Sequence, residues 1–246
     1  MFRTNFAGGI ITEFLPPKHF SNQVVILCDG LPSGGSKQQL VTWFAGHGFW
    51  TFHLRYRGTW ESGGTFLDHA PEQDVFDVIE GLKNDFHDVW SGQIFSCQPE
   101  HICVVGSSFG GTVALMASLD ARVHKVLTIS PVIDWTVSAD EPIDWLEAVL
   151  LNGFPGAYRF THEHWLQLSR GEFFQPMQHV KEFDAKKIFL VHACDDRVVP
   201  IEPTHTFIDR VGCDHRLFKT GGHHLRPKIF RWPLSAKLIR WLHAKV

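Results

Sequence analysis

Three short stretches of the 246-residue chain hold side chains that do chemistry when a fold brings them together. The first is HICVVGSSFGGTVALMAS, residues 101–118, where Ser108 has Gly106 two residues before it and Gly110 two residues after it. Ser107 has no such pair. The second is VHACDDRVVP, residues 191–200, with adjacent acids at Asp195 and Asp196. The third is TGGHH, residues 220–224, with adjacent histidines at His223 and His224. A serine hydroxyl is a poor nucleophile near neutral pH and needs a base to take its proton as it attacks. Histidine titrates in the right range, and a carboxylate behind it fixes the tautomer and stabilises the imidazolium. The combination implies nucleophilic acyl transfer. Each stretch taken singly reads as an ordinary glycine-rich turn or a solvated loop, so the inference rests on all three occurring together. The residues themselves leave open which acid and which histidine take part.

The elements that must position these groups are legible from apolar patterning. Residues 102–105 form a short β-branched run suited to a strand buried on both faces, and from Gly111 the apolar residues Val113, Leu115 and Met116 continue as a buried helix would. Ser108 then falls on a sharp strand-to-helix turn, which needs glycines where a Cβ would strike neighbouring backbone. Further strands are expected at residues 10–15, 23–28, 49–56, 125–132, 188–192 and 215–219. Helices are expected at 37–45, 71–83, 203–211 and 234–243. Strands alternating with helices imply an α/β fold with a mostly parallel central sheet flanked by helices, with ligands gathering at the carboxyl ends of its strands. Both the acid pair and the histidine pair fall just past such ends.

The rhythm breaks between residues 133 and 186, where no strand is convincing and Trp135, Trp145, Phe154, Tyr158, Phe160, Trp165, Phe173 and Phe174 crowd together. An interval of roughly fifty residues is too long for an ordinary loop, so it should carry structure of its own. Pro142, Pro155 and Pro176 divide it into short helical segments, of which 143–151 is the clearest. The expected organisation is a core domain of residues 1–134 and 187–246, with 135–186 inserted as a helical cap. Only a few of its aromatics are expected to meet substrate, and those favour apolar or aromatic acyl groups over charged ones.

Composition narrows the class. A net charge of −3 with mixed signs leaves no basic footprint for nucleic acid, and no apolar run is long enough to cross a bilayer. The first residues, MFRTNFAGGIITEF, lack a signal-peptide hydrophobic core, and five cysteines is an odd number for a disulfide framework. A cytoplasmic location with reduced cysteines is the expectation. Among the 16 histidines, the pairs His162/His164 and His223/His224 lack companion cysteines or carboxylates at metal-ligand spacing. No metal and no cofactor is expected, and nothing specifies an oligomeric state.

Four separated motifs, spanning nearly the whole chain, resemble those of the α/β-hydrolases, and more narrowly the small serine esterases and dipeptidyl-aminopeptidase-like hydrolases. DGLPSGG (29–35) is similar to the H-G-x-P oxyanion loop, with Asp29 in place of histidine. RYRGTWESGG (55–64) resembles R-G-x-G-x-S-x-G, GSSFGG resembles the nucleophile elbow, and VHACDDRVVP resembles H-G-x-x-D-x-x-V-P with Ala193 in place of glycine. The resemblance implies the α/β-hydrolase fold and the chain order serine, acid, histidine. It implies Ser108 as nucleophile and Asp196, rather than Asp195, as the acid. The closing motif in the form G-x-G-H would select His223, and in the form G-A-x-H it selects His224. The likeness of GGHHL to G-A-D-H-x-F favours His224. The oxyanion donors implied are the backbone N–H groups of Phe109 and Leu31. Asp29 adds a carboxyl near the site, whose charge is expected to disfavour anionic substrates. The expected activity is a serine hydrolase cleaving carboxylic esters of small molecules through an acyl-enzyme. Thioesterase, acyltransferase and aminopeptidase-like hydrolysis use the same parts, and a binding protein without turnover would not require all three. A dehalogenase of this fold would need an aspartate at position 108.

Overall fold

Two apolar runs, QVVILC and HICVVGS, form the middle of the sheet because only a strand covered on both faces tolerates so little polarity. The structure is a computed structural model that describes residues 1–137 and 143–244. Its strands are β1 (Phe2–Phe6), β2 (Ile10–Leu15), β3 (Gln23–Cys28), β4 (Trp50–Leu54), β5 (Phe86–His87), β6 (Ile94–Phe95), β7 (His101–Ser107), β8 (Val123–Ile129), β9 (Ile188–Ala193) and β10 (Asp214–Phe218). Its helices are α1 (Gln38–Gly46), α2 (Glu72–Gly81), α3 (Phe109–Ala117), α4 (Ile143–Gly153), α5 (His162–Ser169), α6 (Ile201–Val211), α7 (Arg226–Ile229) and α8 (Leu234–His243). Eight strands form one sheet in the order β1-β2-β4-β3-β7-β8-β9-β10, and β5 pairs with β6 in a separate hairpin. In the eight-stranded sheet β2 runs antiparallel to β1 and β4, and the other pairs are parallel.

The period-2 geometry of the central strands divides the core into two layers. Val24, Ile26 and Val104 point toward Val75 and Val78 of α2 and Val113 and Leu115 of α3. Val25, Leu27 and Val105 point the other way, toward Val41 and Phe44 of α1 and Leu238 and Leu242 of α8. A mixed sheet flanked by helices, with helical insertions, is the α/β-hydrolase architecture.

Two features differ from the expected elements. β1 joins the sheet as a hairpin with β2, because Ala7 (φ 46°) and Gly8 (φ 68°) turn the chain back at once. The short β5–β6 hairpin then lies along β1: Arg3 N–H donates to the Asp88 carboxylate at 2.9 Å and Val89 N–H to the Arg3 carbonyl at 2.8 Å. Cys194 is exposed, while the other four cysteines are buried, and all five are unpaired.

Within residues 135–186 the described chain holds α4, α5, the 3-10 turn Pro176–His179 and the first two residues of the turn Ala185–Lys187. Pro142 lies outside the described residues. The segment packs continuously with the main core: Phe109 of α3 meets the rings of Trp135 and Phe174, and Trp165 is fully buried. It is also laced to the loop after β4, with Trp60 N–H on the Ala157 carbonyl and Phe66 N–H on the Arg159 carbonyl, both at 2.7 Å. Among the described residues no helix is long and apolar enough to cross a membrane.

Candidate active site

Ser108 stands between β7 and α3 at φ 56° and ψ −126°, a region side chains other than glycine rarely occupy. The neighbouring glycines explain why the chain tolerates so tight a turn. A Cβ at Gly106 would strike the Gly110 carbonyl, and one at Gly110 would strike the Cys28 carbonyl at the end of β3. The helix can therefore start directly above the sheet, with Gly111 N–H on the Ser108 carbonyl at 2.8 Å. Phe109 is the first residue of α3, where backbone N–H groups have no acceptor within the helix. Across from it, Gly30 lies so close that a Cβ there would be 3.1 Å from the Ser108 Cβ. That contact brings the loop carrying Leu31 against the serine. The Tyr56 hydroxyl holds this loop by donating to the Asp29 carbonyl at 3.0 Å.

Asp196 lies past the end of β9 with a fully buried carboxylate. Its Oδ1 accepts from the N–H groups of Val198 at 2.9 Å and Val199 at 3.0 Å. Its Oδ2 meets His192 Nε2 at 3.2 Å and His223 Nδ1 at 2.9 Å. Burial alone would raise the pKa of this carboxyl. Hydrogen bonds from His192, His223 and the Val199 amide hold it well below the usual carboxylate range instead. An ionised carboxylate only accepts, so Nδ1 of His223 carries a proton and Nε2 of the neutral ring is left as the proton acceptor. His192, fully buried, reaches Thr204 Oγ1 at 2.9 Å through its other nitrogen.

The histidine that meets Asp196 is thus His223, where motif likeness pointed to His224. The cause lies in the preceding turn. Asp195 accepts from Gly221 N–H at 3.1 Å and Gly222 N–H at 2.8 Å, and Gly222 takes φ 56°. This clamp fixes the loop so that the first imidazole after it faces the acid. His224 lines the same pocket without that contact.

Ser108, Phe109, Leu31, His223 and His224 all border one pocket of about 510 Å³. Trp135, Val137, Trp145 and Leu146 supply part of its apolar wall, while Asp29, Lys37 and Asp134 are its charged members. Of the aromatics expected to crowd this region, Trp135 and Trp145 reach the pocket, whereas Trp165 and Phe174 are buried elsewhere in the core.

Three participants are not singled out by the sequence, and Asp195 enters there only as the alternative acid. His192 and Lys37 are visible only as members of a motif or of a helix start. His53 lies in the strand FWTFHLRY, where a histidine and an arginine on alternate positions of an apolar run were the available sign of a buried polar face. In the sheet His53 stands opposite Glu13 of β2 and Leu27 of β3, and its Nε2 reaches Asp29 Oδ2 at 2.8 Å. Burial would lower the pKa of His53, but Asp29 and Glu13 raise it. Burial would likewise raise that of Asp29, but His53 and Lys37 lower it. Each partner therefore favours the charged form of the other.

An elbow serine, a histidine–carboxylate pair and a shared pocket at the carboxyl ends of parallel strands define a serine-hydrolase-type α/β-hydrolase. The chain belongs to the prolyl oligopeptidase family, whose profile matches residues 36–231. Comparison with curated proteins gives no match. Among solved structures, the fold resembles an acylaminoacyl peptidase of Pyrococcus horikoshii with a TM-score of 0.69 at 17% identity, covering 97% of this chain and 40% of that one. An esterase of Pyrococcus furiosus gives a TM-score of 0.69 at 17% identity, covering 98% of this chain and 90% of that one. DcsB, solved with a substrate analogue, gives 0.71 at 16% identity, with 99% and 98% covered. The chain spans about two fifths of the peptidase's length and nearly all of the other two.

Proposed function

We propose that the protein is a carboxylesterase that cleaves esters of apolar or aromatic acyl groups through an acyl-enzyme. The observation that carries this reading is the 2.9 Å contact of His223 Nδ1 with Asp196 Oδ2, at the edge of the pocket that Ser108 also borders. Ser108 attacks the ester carbonyl as His223 takes its proton. The N–H groups of Phe109 and Leu31 stabilise the oxyanion, and His223 returns the proton to the departing alcohol. Water activated by His223 then releases the acid. Asp196 keeps the imidazole in the required tautomer and offsets its charge.

Residues 135–186 serve as the cap over a core of residues 1–134 and 187–246. Support comes from Trp135, Val137, Trp145 and Leu146, which form an apolar wall on one side of the pocket. That wall would exclude water from the acyl-enzyme and bind apolar acyl chains. The family also contains peptidases, so amides and thioesters belong in the test. A fluorophosphonate should label the parent protein and not Ser108→Ala. Para-nitrophenyl esters of graded chain length should be turned over faster than matching thioesters and aminoacyl amides. Faster turnover of the amides would make the protein a peptidase, and absence of both labelling and turnover would leave a binding protein.

A further inference from the structure

We infer that Lys37 forms a carboxylate-binding subsite in the active-site pocket, so that the substrate class is an ester carrying a carboxylate on an apolar stem. The inference rests on the esterase reading above and reverses the expected effect of Asp29. A carboxyl in place of the motif's histidine should repel anions only if its charge were left standing. Here it is not: Asp29 Oδ2 faces the buried ring of His53 at 2.8 Å, and Oδ1 faces Lys37 Nζ at 3.3 Å.

The surrounding charges leave Lys37 in surplus. His53 also faces Glu13 at 3.9 Å, and Glu13 is paired with Arg3 at 2.9 Å and Arg55 at 3.0 Å. Arg3 and Arg55 both reach Glu61. With His53 protonated, four cations, Arg3, Lys37, His53 and Arg55, face three carboxylates, Glu13, Asp29 and Glu61. Lys37 is the member of this network that lines the pocket as a cation. Its ammonium has three N–H groups, and its partners among the described residues are Asp29 and the Gly34 carbonyl at 3.3 Å. One donor direction is left for a ligand. The other pocket carboxylate, Asp134, has its Oδ1 fixed by neutral donors, Thr136 N–H, the Thr136 hydroxyl and Gln175 Nε2 at 2.9, 2.6 and 2.7 Å, and is no partner of Lys37. Apolar side chains make up most of the remaining wall, and an ammonium in such surroundings holds a carboxylate more strongly than it would in open water. The pocket therefore suits a molecule with an apolar middle, a carbonyl at Ser108 and an anionic end at Lys37.

Mono(para-nitrophenyl) adipate and para-nitrophenyl hexanoate have acyl chains of equal length that end in a carboxylate and a methyl group. The ratio of their kcat/KM values should favour the adipate at low ionic strength, fall by about tenfold or more in Lys37→Met, and stay within about threefold in Lys37→Arg. An unchanged ratio in Lys37→Met overturns the subsite. Calorimetry on Ser108→Ala reads the same subsite without turnover. Monomethyl adipate should bind more tightly than methyl hexanoate, and Ser108→Ala/Lys37→Met should lose that preference. Equal binding of the two esters to Ser108→Ala overturns the inference. Preserved adipate binding with no hydrolysis of either nitrophenyl ester would overturn the esterase reading and leave the subsite standing.

Discussion

Asp196 accepts four hydrogen bonds, two from backbone amides and two from imidazoles, and so stays ionised across the range in which the protein would be assayed. Removing its charge should therefore disturb His192 and His223 together, and of the two His223 is the one that borders the pocket. Asp196→Asn, His223→Ala and Ser108→Ala should each lower ester turnover by about three orders of magnitude or more. His224→Ala, which leaves the Asp196 contact untouched, should cost about tenfold or less, so steady-state kinetics on the four variants separate the neighbouring histidines. Asp195 is on the surface yet holds the two amides that precede His223. Asp195→Ala should lower kcat by about tenfold with little change in KM, because the imidazole is less well aimed while the pocket wall is intact. Asp195→Asn, which keeps one acceptor oxygen, should recover part of the loss.

At the scale of elements, the close seating of α3 over the sheet depends on glycine. Gly110→Ala would push its methyl group into the Cys28 carbonyl and lift the helix from β3. It should destabilise the protein by about 3 kcal/mol in urea unfolding, with loss of the elbow geometry in whatever remains folded. The central strands and the flanking helices were legible in the sequence because long apolar runs with a fixed period leave few alternatives. β1 and the β5–β6 hairpin were not: FRTNF carries polar residues at its second, third and fourth positions, and two-residue strands have no period to detect. The sharp turn at Ser108 and the Asp196 carboxylate that meets an imidazole fall at the positions that glycine spacing and motif pick out. Which of two adjacent histidines faces the acid depends on the dihedral angles of Gly221 and Gly222 and on the Asp195 clamp, none of which neighbouring letters encode. The Asp29–His53 pair was hidden for a different reason. Its members are 24 residues apart and meet only because β4 lies beside β3.

For the whole molecule, the buried ion pairs imply a stability maximum bounded on both sides. Glu13, Asp29 and Asp196 have pKa values below their ordinary ones, that of Glu13 brought down to about 2 by His53, Arg3 and Arg55 against the opposing effect of burial. Their contribution is complete above an unfolded-state pKa of about 4 and is lost as pH falls through the folded values. His53 has the opposite sign. Its pKa is raised in the fold, so its contribution is complete below about pH 6.5 and is lost as pH rises through the raised value. Urea unfolding across the pH range should show stability falling below about pH 4 and again above about pH 6.5. His53→Gln should flatten the alkaline side and lower the maximum by about 3 kcal/mol, since it leaves Asp29 buried without its main counter-charge.

An open sheet has two rims, and each can template a strand from another copy of the same chain. One rim here is β10, whose exposed Asp214, His215 and Arg216 would set unlike and like charges against any incoming strand. The other is β1, and there the docking of the β5–β6 hairpin has a consequence beyond local packing. By occupying the outward amide and carbonyl of Arg3, Asp88 and Val89 interrupt the ladder that a second molecule would extend. Asp88→Ala frees that amide and the turn amide of Ser91, which the same carboxylate accepts at 2.9 Å. The variant should form higher-order species on mild warming, visible as concentration-dependent light scattering, before its ester turnover declines. On this account the hairpin acts as a guard against strand-mediated aggregation, on the rim farthest from the β9 and β10 loops that carry Asp196 and His223.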